Sequence, residues 1–87
     1  MSTVVPIAQI NDLLAKRAFG QAIPLAEAAT KAAPRNAAAW FALARGTFGL
    51  GRCATADHAI EQAMRLGAGG PDVDFLRALI DDLQRAR

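Results

Sequence analysis

From Ile7 onward the apolar positions fall at helical spacing: Ile7, Ile10, Leu14 and Ala18 lie three or four residues apart on one stripe. Pro6 suits the opening turn of that helix, where a missing N–H has no acceptor to lose. The stripe runs to about Phe19, and Gly20 is expected to break it. A second helix is predicted from about Gln21 to Ala33; Pro24 is tolerable only near a helix start, which sets that start near residue 21, and Pro34 closes the helix. Asn36 is placed to cap a third helix that carries Trp40, Phe41, Leu43, Ala44 and Phe48 to about Leu50, with Gly49 and Gly51 framing the turn after it. A fourth helix is expected from about Cys53 to Leu66, ended by Gly67. Beyond the loop 67–70, Asp72 is the expected N-cap of a fifth helix, with Val73, Leu76, Ile80 and Leu83 on one face and Asp74, Arg77, Asp81, Asp82 and Arg85 on others. No strand is expected anywhere.

A longer period overlies these helices. Ala22, Ala29 and Pro34 recur 34 residues further on as Ala56, Ala63 and Ala68. A 34-residue period in an alanine-rich helical chain marks a stacked helix-pair repeat. The two alanines of each copy stand seven residues apart, two helical turns, so both occupy one face and let a neighbouring helix approach closely. The segment Trp40, Leu43, Ala44, Leu50-Gly51, Ala56, Ile60 and Ala63 resembles a tetratricopeptide (TPR) repeat. The preceding copy keeps Phe19, Ala22, Ala29 and Pro34, while Pro6 and Gln9 stand where the pattern has Trp and Leu. A repeat at the start of an array is expected to be atypical.

The resemblance implies an all-α fold: a TPR-like right-handed superhelix of two antiparallel helix pairs plus a C-terminal capping helix, forming one domain over 1–87. The first repeat spans about 3–36, the second about 37–70 and the capping helix about 72–86.

Composition narrows the class of protein. Hydrophobic residues make up 53% of the chain, too many for a disordered segment, and alanine supplies so many of them that close helix packing must replace bulky side chains. No apolar run reaches the roughly 18 to 20 residues that a membrane span needs. The Met-Ser-Thr-Val-Val-Pro opening has no basic leader and does not read as a signal peptide. With a single cysteine, Cys53, this points to a cytosolic, reducing setting. Eight Arg against two Lys, with abundant Ala, resembles chains from GC-rich bacterial genomes. The net charge of +2 comes from scattered residues, with no basic stripe of the kind that binds nucleic acid.

Candidate chemistry is sparse. His58 has Asp57 and Glu61 nearby, but Glu61 is its i+3 helix neighbour, and a solvated ion pair explains the spacing without catalysis. One His and one Cys fall short of a metal site. Cys53 reads as a small buried thiol between the helices of a pair. The triplet at 49–51 lacks the third glycine and the strand of a dinucleotide fingerprint, because residue 54 is Ala. Asp81 and Asp82 point about 100° apart and cannot share a substrate. Neither an enzyme nor a cofactor is expected.

What the resemblance implies instead is a concave groove lined by the first helix of each pair. The groove positions of the family map onto Ile7, Asn11, Leu14, Phe41, Arg45 and Phe48, with Phe75 and Leu79 added by the fifth helix. For Phe41 and Phe48 ordinary core packing is an equal alternative. The carboxylate clamp of some TPR co-chaperones is not carried over, since Ile7, Ala42 and Asp72 stand where it needs polar or basic groups and only Asn11 fits. The expectation is a protein–protein interaction module that takes a peptide or helix of a partner protein. Two alternatives remain: the N-terminal TPR segment of a larger bacterial enzyme, and a homodimer burying its own groove.

Overall fold

The structure, a computed structural model, describes residues 7–86. Five helices follow one another: α1 (Ile7–Ala15), α2 (Phe19–Ala32), α3 (Ala37–Gly49), α4 (Cys53–Arg65) and α5 (Pro71–Arg85). No strand occurs among the described residues, so the fold is all-α. Each helix packs on the next, and α3 also touches α1 on one side and α5 on the other, whereas α2 and α4 do not meet. Helices α1, α3 and α5 therefore form one layer and α2 and α4 the other. Pro6, expected to open α1, lies outside the described residues.

Three of the helices end in the same way. At the close of α3, Gly51 adopts φ 78°, its amide donates to the Phe48 carbonyl at 2.9 Å and the Arg52 amide donates to the Thr47 carbonyl at 2.9 Å. This pair of backbone bonds satisfies last-turn carbonyls and needs a left-handed residue, which is why glycine is favoured there. At the close of α4, Gly67 (φ 102°) does the same, with its amide on Met64 and that of Ala68 on Ala63. The end of α1 repeats the motif with no glycine: Arg17 takes φ 59°, its amide donates to Leu14 at 3.0 Å and the Ala18 amide donates to Leu13 at 2.8 Å. A side chain in this conformation costs about 1 kcal/mol relative to glycine.

The break between α1 and α2 thus falls at Arg17 and not at Gly20, which lies inside α2. With α2 beginning at Phe19, Pro24 is its sixth residue and deprives the Gly20 carbonyl of its helical donor. Gly20 is exposed, so water can take the place of that donor. A second boundary also differs from expectation. The N-cap of α5 is Gly70, followed by Pro71 at the first turn, and Asp72 sits within the helix. Proline fits a first turn and frees Asp72 and Asp74 to complement the helix dipole instead. Asn36 does cap α3, its side chain accepting a hydrogen bond from the Ala38 amide at 3.0 Å.

The core is built on small residues. Ala22, Ala29, Ala56 and Ala63, the four alanines of the 34-residue period, are all buried. Gly46 brings α3 against α2: a Cβ added there would stand 3.0 Å from Ile23. Between these close approaches, Ile10, Ile60 and Ile80 fill the interior with no exposure. Thr47, the buried polar residue of α3, donates its hydroxyl to the Leu43 carbonyl one turn back at 2.8 Å, so no polar group is stranded by its burial. The Trp40 indole N–H donates to the Pro34 carbonyl at 2.8 Å, tying α3 to the loop before it. On the far side, Arg77 of α5 faces Asp57 and Glu61 of α4 at 3.5 Å each and Asp81 of its own helix at 3.4 Å, adding charge contacts between α5 and α4.

Candidate binding groove

On the α1–α3–α5 layer a cavity of about 660 Å³ opens to solvent, lined by residues of α1, α3 and α5 together with the α1–α2 junction. Its floor is Leu14, which is 5% exposed. Phe41 and Phe48 of α3 and Phe75, Leu76 and Leu79 of α5 supply apolar walls. Among the described residues Phe75 is the most exposed of the large apolar side chains, at 66%, on a helix that buries Val73, Leu76 and Ile80 and leaves Leu83 exposed as well. The volume lies within the range of small ligand sites, enough for a few side chains of a bound peptide.

The groove is organised by the 34-residue period. Leu14 and Phe48, Phe41 and Phe75, and Arg45 and Leu79 are each separated by 34 positions, and all six line the cavity. Equivalent positions of neighbouring first helices therefore lie side by side. Contact between such positions is direct at the groove's edge, where Arg45 Nη1 donates to Asn11 Oδ1, another pair 34 apart, at 3.3 Å. The Arg45 guanidinium also lies 5.8 Å from the centre of the Phe41 ring. That contact fixes the charge against an apolar wall at the edge of water.

Six of the eight expected groove residues thus meet at one cavity: Leu14, Phe41, Arg45, Phe48, Phe75 and Leu79. Asn11 does not line it but positions Arg45. Ile7 is half-buried against the core, away from the lining. Phe41 and Phe48 are each half-buried, so they serve core and groove together. Ala15, Arg17, Phe19, Gly49 and Leu76 also line the cavity without having been expected there, and so does Asp72, which the resemblance placed only at a clamp position that it does not fit. Arg17 and Phe19 reach the cavity because α1 ends early and the junction folds beneath α3. The absence of a glycine at residue 17, set against Gly51 in the next copy, is the one signal in the sequence that singles out this position.

The remaining reactive side chains lie elsewhere. His58 is exposed on α4, with its ring edge-on to Trp40 at 6.1 Å and 81° between planes. Glu61, expected to pair with His58, reaches across to the Arg77 guanidinium of α5 instead, at 3.5 Å. Cys53 is a buried free thiol in the first turn of α4. Among the described residues no three His, Cys, Asp or Glu side chains gather where they could hold a metal ion, and no helix is long and apolar enough to cross a membrane. Comparison with protein-family models, with curated proteins and with solved structures finds no match for the chain.

Proposed function

We propose that this chain is a protein–protein interaction module of TPR type, two antiparallel helix pairs and a capping helix in a right-handed superhelix, acting as an adaptor that takes a peptide or helix of a partner in its concave groove. The observation that carries this reading is the placement of three pairs of residues, each 34 apart, around one open cavity on the layer shared by α1, α3 and α5. A repeat stacked for stability alone has no need to leave Phe75 in water beside Phe41 and Phe48; a surface built to take apolar side chains does. We place the chain among adaptors and not enzymes because the groove's chemistry is apolar walls with charged edges, the pattern of recognition surfaces.

The test is selection of displayed peptides on the wild-type protein, followed by affinity measurements on variants. Arg45→Glu should lower the affinity of selected peptides about tenfold or more while leaving the melting curve nearly unchanged, since the guanidinium is half-exposed and contributes little to stability. Phe48→Ala should also weaken binding; a loss of stability of ~3 kcal/mol or more would show that its role is core alone. Glu27→Lys, on the exposed face of α2, should be neutral. Glu61 does not serve as such a control, because it holds Arg77. Binding that survives Arg45→Glu and fails with Glu27→Lys would move the site to the α2–α4 layer and overturn the proposal.

A further inference from the structure

We infer that the groove selects a peptide in which an aliphatic or aromatic anchor is flanked by a carboxylate, and that Arg17 and Arg45 are the residues that hold the carboxylate. The inference rests on the groove being the binding face and adds the charge of its occupant.

Arg17 and Gly51 are 34 residues apart and end α1 and α3 with the same pair of backbone bonds in the same left-handed conformation, φ 59° and 78°. Where no side chain is wanted, at Gly51, the chain has glycine; nothing lies within 4 Å of a Cβ built there, so glycine answers to the backbone alone. Where Arg stands in the same conformation, its side chain lines the cavity. An arginine in a conformation that favours glycine, with its side chain at a cavity, is local backbone strain of the kind that gathers at binding sites.

Arg45 supplies the second guanidinium, held in place by Asn11 and against the Phe41 ring. Among the described residues, neither Arg17 nor Arg45 has a carboxylate within 4.0 Å, whereas Arg77 faces three. The one anion lining the cavity, Asp72, stands in the first turn of α5, where the helix dipole already complements it. The cavity lining therefore holds two guanidinium groups against one carboxylate, and among the described residues neither guanidinium has a carboxylate within 4.0 Å. Guanidinium groups bind carboxylates through paired N–H donors, and more strongly beside apolar walls that exclude water. A positive net charge of +2 on the whole chain favours the approach of the same kind of partner.

Three synthetic peptides, acetylated and amidated, with identical Leu and Phe anchors and with Glu, Gln or Lys at the positions between, test this by fluorescence polarisation at low and at physiological salt. The Glu peptide should bind about tenfold more tightly than the Gln peptide at low salt, with the Lys peptide weakest and the gap narrowing as salt rises. Arg17→Gly should lower the affinity for the Glu peptide about fivefold, leave the Gln peptide unchanged and raise the melting temperature by a few degrees. Equal binding of Glu and Gln peptides, with Arg17→Gly silent, would overturn the charge selection and leave the groove reading standing. Failure of all three peptides to bind wild-type protein would overturn both, as would a dimer in sedimentation that Phe75→Ser abolishes, because a second copy then fills the groove. A fall in melting temperature with Arg17→Gly would assign Arg17 to structure and overturn its role here.

Discussion

Ala56→Leu is expected to destabilise the domain by roughly 1–3 kcal/mol, because a fully buried alanine at a close helix approach leaves no volume for three added carbons. For a domain of this size each kcal/mol is worth about 4–8 °C of melting temperature, so the shift is readily measured. Ala22→Leu, at the equivalent position one repeat earlier and equally unexposed, should behave alike. The controls lie on the same helices: Ala54 and Ala28 are exposed, and leucine there keeps nearly the full helix propensity of alanine. Equal melting shifts for buried and exposed positions would show that the 34-residue alanine pattern reflects helix-forming tendency and not packing.

Those alanines were legible in the sequence because what they do, allow close approach, is a matter of side-chain size, which a sequence states directly. The interiors of the helices were legible for the same reason. Boundaries were less so, and the junction of α1 and α2 shows why. Gly20 is the obvious local breaker, yet α2 begins at Phe19 and places Ala22, Ile23 and Ala26 toward the core. To join α1 to that start, the chain must turn at Arg17, whatever the local preference of arginine. Tertiary packing overrode propensity there, as it did at α5, where Gly70 and Pro71 open the helix and Asp72 is left to face the groove. The groove itself was half legible. Residues that enter it along regular helices, such as Phe41, Arg45 and Phe75, follow from helical spacing and the repeat; those that enter through the junction, Arg17 and Phe19, follow only from how the junction folds.

Gly49→Ala is expected to lower stability by about 1–3 kcal/mol, opposite in sign to the gain of up to ~1 kcal/mol that replacing a helical glycine by alanine ordinarily brings. The reason is Phe19: its ring occupies the place where a Cβ on residue 49 would stand, closer than real Cβ atoms approach anything. Gly49 has an ordinary helical conformation, so backbone strain plays no part and the effect isolates the steric one. Phe19 is half-buried and packs against the core, and the added methyl must drive the ring toward solvent. The penalty is then bounded by the apolar burial of one phenylalanine, about 1.5–3 kcal/mol. A double-mutant cycle separates this from any other cause. In a Phe19→Ala background the Gly49→Ala change should become neutral or stabilising, since the obstacle is gone and propensity alone remains. Both residues line the cavity, so the single Gly49→Ala variant should also bind groove peptides more weakly, whereas Phe19→Ala should alter affinity without the sign reversal at residue 49. A stability gain for Gly49→Ala in the otherwise wild-type protein would mean that Phe19 packs elsewhere, and that the α1–α2 junction does not form the base of the groove.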